Sequence, residues 1–276
     1  MSWHGHLDLN YSRSGARTIA LDRHDGPLRV LQRLYPEGEG ICHHVLVHPP
    51  GGIVGGDELN IRLHQASGTH ALVTTPSATR FYRSAGAPAV QRLHAQLEDG
   101  ARLEWLPLET IAYNRCIARN EQRFDLAPGA QMLGWDMLAL GLPAANQAFE
   151  QGSITQQLEL PGLWLERGHI DATDTLLLNS PVGLAGHKVL GTLWLAAGSA
   201  LPAALRSQLL DEARALIKAS PLAGTAGASS PDARFVVCRA VAPSIEPLFA
   251  LWRALRGRWR ELAWALPPVA PRIWAM

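Results

Sequence analysis

His48-Pro49-Pro50-Gly51-Gly52-Ile53-Val54-Gly55-Gly56-Asp57 is the stretch on which the reading of this chain turns. An apolar, largely β-branched run, Val45-Leu46-Val47, leads into it, and an alternating run carrying Leu59, Ile61 and Leu63 leads out. Pro49 and Pro50 lack backbone donors and fix φ, so the incoming strand stops there. The four glycines permit positive φ and close backbone approach, with Ile53 and Val54 the only apolar anchors. Gly51 and Gly56 have the spacing of a nucleotide loop, but such a loop continues with Lys and then Ser or Thr to meet phosphate and magnesium. Here Asp57 and Glu58 come next, and their charge repels an anion. A nucleotide is excluded. Two readings remain: a β-turn loop whose glycines serve backbone geometry, or a rigid turn that offers the Asp57 carboxylate to a divalent cation.

Outward from that loop the chain reads as β-structure. Leu7-Asp8-Leu9 and Thr18 to Leu21 flank a turn at Ser14-Gly15, and a second strand pair is expected around Leu28, Val30, Leu31 and Leu34. His4 and His6 make a weak metal signal that two solvated histidines explain equally. His43 and His44 face opposite sides of a strand and cannot both ligate one ion. Beyond the loop, turn glycines recur at Gly68, Gly100, Gly129 and Gly162, each preceded by a turn former: Ser67, Asp99, Pro128, Pro161. Alternating apolar residues come after each turn. The pattern predicts a strand-turn-strand unit used at least four times, as stacked β-hairpins or a β-helix-like solenoid whose neighbours complete each other's core. An antiparallel sandwich is the alternative. Gly134 and Trp135 fall one step out of the repeat, which predicts a bulge.

After Asn179-Ser180-Pro181 the pattern changes. Leu201 to Ala219 is helical, with Pro202 in its first turn and Leu205, Leu209, Ala213, Leu216 and Ile217 on one face. Residues 221–231, rich in Gly, Ala and Ser, read as a loop, and Phe235 to Cys238 as a short buried strand. Ser244 begins a second helix with the stripe Leu248, Trp252, Leu255, Trp259 and Leu262, and Arg253, Arg256 and Arg260 line another face. The proline-bound tail 267–274 is expected to run extended. The division expected is a single domain over 1–276, with a β-rich body (1–198) and a helical part with its tail (199–276).

Composition narrows the function classes. The chain has 276 residues, 47% of them hydrophobic, enough for a sizeable core. A net charge of +1 leaves no electrostatic footprint for nucleic acid or an anionic membrane. Cys42, Cys116 and Cys238 are scattered without a C-x-x-C pair, which suits a reducing cytoplasm and neither a zinc knuckle nor a disulfide framework. No signal-like start and no membrane-length apolar run is present, so the expected location is cytoplasmic. Nine tryptophans are many, and four lie near the C-terminus (Trp252, Trp259, Trp264, Trp274), which predicts a partner surface there.

Acids in apolar company are the candidate chemistry. Glu104 and Glu109 lie in Leu103-Glu104-Trp105-Leu106-Pro107-Leu108-Glu109-Thr110, Asp136 comes after Trp135, and Glu166 after Leu165. Buried acids need a partner, a proton or a metal. Arginine is plentiful and salt bridging would account for them, yet Asp57, Glu109, Asp136 and Glu166 recur at comparable places around the turns, as a line of inward carboxylates would.

Taken in order, HPPGGIVGGDEL (48–59), TTPSATRFYRSAG (74–86), LEWLPLETI (103–111), GWDMLALG (134–141) and PRIWAM (271–276) closely resemble the urease accessory protein UreD family, called UreH in some species. The resemblance implies stacked, β-helix-like sheets with two C-terminal helices. It also implies a non-enzymatic scaffold and nickel chaperone that docks on apo-urease, recruits UreF and through it the GTPase UreG, and passes nickel(II) through an internal passage. No cofactor would be permanently bound. Asp57 and Asp136 match family acids and are the foremost passage residues, then Glu166, Thr79 and Glu109. Trp252, Arg253, Arg256, Trp259, Arg272, Ile273 and Trp274 would meet UreF. The chain departs from the family where Leu108 replaces a common Gln, Asn114 an acid and Leu142 an Arg, and where Leu266-Pro267-Pro268-Val269 replaces a cysteine-containing run. Spaced carboxylates suit a conduit, because a full histidine cage would trap nickel(II), whereas a pathway needs sites weak enough to leave. Two other classes stay open: a β-helix enzyme acting on polysaccharide through paired carboxylates such as Asp57 and Asp136, and a purely structural adaptor.

Overall fold

Gly68, Gly100 and Gly129 each sit where a strand of one sheet hands the chain to another, in a computed structural model that describes residues 2–142 and 145–275. One sheet has seven strands, in spatial order β14 (Trp164–Asp171), β13 (Gly152–Leu160), β11 (Cys116–Leu126), β8 (Ala89–Leu97), β5 (Glu58–Gln65), β1 (His4–Ser14) and β2 (Arg17–Asp25). The other runs β16 (Ala226–Asp232), β17 (Phe235–Ala242), β15 (Val189–Ala197), β12 (Gln131–Leu140), β9 (Arg102–Leu106), β6 (His70–Thr74), β4 (Ile41–Val47) and β3 (Arg29–Val30). The short β10 (Thr110–Ala112) and β7 (Thr79–Phe81) extend it from β12. Helices α1 (Thr175–Asn179), α2 (Ala203–Ala219) and α3 (Ile245–Trp264) complete the chain, with a 3-10 turn at Arg272–Ala275.

The first three units are coils of a β-helix-like body. β5, β8 and β11 pair in parallel in one sheet, while β6, β9 and β12 pair in parallel in the other. The turns stack as well: Gly68 N–H donates to the Asp99 carbonyl at 3.1 Å, and Arg102 N–H to that of Thr69 at 2.8 Å. Gly68 and Gly100 take φ of 67° and 70°, and a Cβ on Gly129 would come within 2.0 Å of Asp99 Oδ1. Stacking leaves no room for a side chain there. The fourth unit behaves differently. Around Gly162, β13 and β14 form an antiparallel hairpin within one sheet, so the solenoid stops and the sheet ends.

Burial tracks the layers. The seven-stranded sheet alternates, as in β5, because one face meets the other sheet and one meets water. The inner strands of the second sheet are buried on both sides; β6 is buried throughout. Its second face carries α2 and α3, and a core of Trp135, Leu193, Leu209, Trp252 and Trp259 fills that layer.

Several expectations need correction. Gly134 makes no bulge, since β12 runs in unbroken register with both neighbours. A Cβ there would meet the Trp194 indole at 2.4 Å, so the glycine makes room for an aromatic. The expected loop 221–231 contains β16, which pairs with β17, the strand expected at Phe235 to Cys238 and extended here to Ala242. The pair expected around Leu28 to Leu34 is reduced to β3 and a single bridge from Leu34 to His43. The tail is extended only to Pro271 before its 3-10 turn.

Candidate functional site

The glycine loop is built as its sequence demands. Gly51 and Gly56 have φ of 79° and 95°. Gly52 lies under the Tyr82 ring and Gly55 against Ser84, where a Cβ would come within 2.0 and 2.2 Å. Asp57 is buried, and its two oxygens accept the Trp3 N–H at 2.8 Å and the Val54 N–H at 3.0 Å. Both bonds are to backbone, so Asp57 clamps the loop to the start of β1. His48, Gly51 and Gly52 wall a cavity of about 90 Å³ that Thr79 and Arg80 also line. Glu109 is beside Thr79, whose N–H donates to the Glu109 carbonyl at 2.9 Å. Burial raises the Glu109 carboxyl, the charge of Glu246 adds to this, and Arg80 opposes it.

Asp136 and Glu166 occupy a second cavity, of about 320 Å³, at the far end of the body. Asp136 projects from β12 toward the seven-stranded sheet. Its Oδ2 accepts from Gln122 Nε2 on β11 and from Gln156 Nε2 on β13, both at 3.1 Å. These partners are neutral amides. Burial, with Glu166 adding to it, pushes the Asp136 carboxyl up to about 6 despite both bonds. Glu166 stands on β14 and takes a two-pronged contact from Arg239 of β17, Nε at 2.9 Å. His169 and Thr192 share the cavity wall. The structure therefore brings Asp136 and Glu166 together and leaves Asp57, Thr79 and Glu109 elsewhere. Among the described residues no group of three or more His, Cys, Asp or Glu side chains is arranged to hold a metal ion. The paired histidines have separate duties: His43 binds Glu37 at 2.9 Å, and His44 binds the Tyr11 hydroxyl at 2.8 Å.

The third cluster is the least visible in the sequence. Glu104, fully buried on β9, accepts from Arg256 Nε and NH2 at 2.8 and 2.6 Å, from Arg260 Nε at 3.0 Å, and meets His70 Nε2 at 3.2 Å. Arg260 also pairs with Glu37 at 2.6 Å. Burial works against the Glu104 charge, yet Arg256, His70 and Arg260 hold its carboxyl well below the usual range. The arginines reach onward to the tail, where Arg256 NH1 donates to the Val269 carbonyl at 2.6 Å and Arg260 NH1 to that of Pro267 at 2.5 Å.

This cluster corrects the expected partner surface. Trp252 and Trp259 are fully buried in the helix–sheet layer, and Arg256 is spent on Glu104, so none of the three reaches a partner. The helical stripe is present as expected, but the sheet beneath consumes it together with part of the arginine face. Arg253 and Arg272 stay exposed, and Ile273 and Trp274 half-buried. Trp274 donates to Thr74 Oγ1 at 2.9 Å and packs on Trp135 and Phe249, fastening the tail. Of the departures from the family pattern, Asn114 has a visible function: its Oδ1 accepts the Glu150 and Gln151 N–H groups at 3.2 and 2.8 Å. No helix among the described residues is long and apolar enough to cross a membrane.

Comparison with known proteins adds what geometry alone does not. Residues 4–275 match the model of the family described as UreD urease accessory protein. A urease accessory protein UreD of Leptothrix cholodnii is 63% identical over 276 residues, covering 99% of each chain. Those of Paracidovorax citrulli and a Polaromonas species are 57% and 54% identical over the full length of both chains.

Proposed function

The chain belongs to the UreD urease accessory protein family, and from that premise we propose that it passes nickel(II) toward apo-urease through the cavity at Asp136 and Glu166, acting as a scaffold in the cytoplasm rather than as an enzyme. One observation carries this reading. Asp136 is an acid between two sheets whose side-chain partners among the described residues are neutral amides, whereas Glu104 and Glu37, two other deeply placed acids, are matched by arginine. An unmatched carboxylate in low-dielectric surroundings either holds a proton or meets a cation. Nickel(II) arriving there displaces the proton. The amides keep the carboxylate in place, and one or two oxygen ligands bind weakly enough to release the ion. Glu166 and His169 are the next donors in the same wall.

The scaffold half of the proposal assigns UreF, and through it UreG, to the surface around Arg253 and the tail residues Arg272, Ile273 and Trp274. The rival reading of a carbohydrate-active enzyme offered Asp57 and Asp136 as an example of its carboxylate pair; Asp57 does not line the Asp136 cavity, and Glu166, the acid that does, is engaged by Arg239. The test is Asp136→Asn, which preserves shape and removes the titrating charge. Under limiting nickel, urease matured with this variant is expected to contain less nickel and less activity, while the variant still co-purifies with UreF and apo-urease. Wild-type nickel content would end the passage reading. Intact passage with lost co-purification is the opposite of the expected result.

A further inference from the structure

The smaller cavity, between the glycine loop and the segment 75–80, has a chemistry of its own. Its volume of about 90 Å³ is the share of about three waters. Its polar side chains are those of His48, Thr75, Ser77, Thr79, Gln91 and Trp105, with the guanidinium of Arg80; the indole and the guanidinium among them can only donate. No Asp or Glu is among the described residues that line it. Leu46 and Ile61 form an apolar back wall.

Three of these groups lack what their burial calls for. Arg80 is half-buried; its charge acts on the Glu109 carboxyl without forming an ion pair with any described carboxylate, and its one hydrogen bond, to the Gly51 carbonyl, is long at 3.4 Å. The Trp105 indole Nε1 and the His48 Nε2 are buried without a partner. Burial pushes His48 below its ordinary value, with Asp57 only partly opposing, so the ring is neutral at pH 7. An unpartnered buried polar atom is costly to keep, and the Arg80 guanidinium has only its long bond to Gly51. A divalent cation would find no carboxylate here and would face a fixed positive charge.

The geometry points to a binding site for a small planar oxyanion, of the size of nitrate, bicarbonate or acetate, held by the Arg80 fork with the indole and hydroxyl donors around it. A guanidinium grips a planar pair of oxygens bidentately, and a ligand of about four heavy atoms suits a space of about three waters. This inference does not depend on the nickel reading, and the two can fail separately.

The test is a titration of the full-length chain with sodium nitrate, acetate and bicarbonate, balanced with sodium chloride to constant ionic strength. The readout is the Trp105 indole N–H resonance, assigned through Trp105→Phe. A saturable shift of that resonance by the planar anions supports the site. The shift should vanish in Arg80→Gln and persist in Arg83→Gln, which alters an exposed arginine outside the cavity. Arg80→Lys retains the charge but loses the fork, and should weaken binding by about tenfold, which keeps the test decisive where Arg80→Gln does not fold. Absence of a saturable shift, an equal response to chloride, or unaltered binding in Arg80→Lys would overturn the assignment.

Discussion

Glu104 and Asp136 are both carboxylates set among tryptophan and leucine on neighbouring strands of one sheet, and they have opposite surroundings. Glu104 faces the helical layer and meets two arginines. Asp136 faces the other sheet and meets two glutamines. The first is ionised and immobile, a fastener between α3 and the sheet. The second is poised between its protonated and charged forms near pH 6. Burial alone therefore does not set the protonation of an acid; the charge of its partners decides.

The strongest way to break this comparison is to take away a partner of the fastener. Arg260→Ala leaves Glu104 and Glu37 under-compensated in a dry layer, and such a loss costs about 3–5 kcal/mol. Urea denaturation should show a midpoint far below wild type. Replacing Glu104 and Arg256 together by apolar residues of similar volume should cost less than Glu104→Ala alone, because no orphan charge remains.

A smaller effect, of the opposite sign, is expected at Asp136. Its folded value near 6 lies above the unfolded value near 4, so the folded state binds the extra proton. Stability attached to this group is full below pH 4 and is lost as pH rises through about 6. Asp136→Asn should therefore stabilise the protein at pH 8 by about 1–3 kcal/mol, with the gain shrinking toward pH 4. Thermal melts of the two proteins across that range check it, and a gain that grows on acidification would reverse the assignment.

The smallest folding effect belongs to a side chain outside both clusters. Arg253→Ala should change stability by less than about 0.5 kcal/mol, while binding to UreF weakens by about tenfold if Arg253 is an interface anchor. Pull-downs at graded UreF concentration separate the two quantities.

Much of this architecture is legible in the chain itself. Glycines at Gly68, Gly100 and Gly129, each after a turn former, announce the coils because the first two take positive φ and the third has no room for a Cβ beside Asp99. Gly162 carries the same local signal and makes a hairpin instead, since beyond Asp171 the chain enters α1 rather than another coil, and local chemistry does not encode that. Asp136 and Glu166 can be named as candidates from sequence, but their shared cavity cannot. The Glu104 partners are hidden by distance: Arg256 is 152 residues away along the chain. The C-terminal tryptophans mislead because a stripe wide enough to bury looks the same whether a sheet or another protein receives it. Trp105 and Arg80 give no signal of a cavity, because an unpartnered donor exists only in three dimensions.

The fastener also orders events during synthesis. Glu37 and Glu104 leave the ribosome well before α3, so the growing β-body carries two acids in an apolar layer with only His43 and His70 to answer them. Domains settle as their parts emerge, and this one lacks the fixed positive charge opposite its acids until Arg256 and Arg260 arrive. A chain cut short of α3 is then a poor imitation of the finished protein, open along one face of its ten-stranded sheet and visible to proteolysis. Emergence of α3 and closure of that layer become the same event.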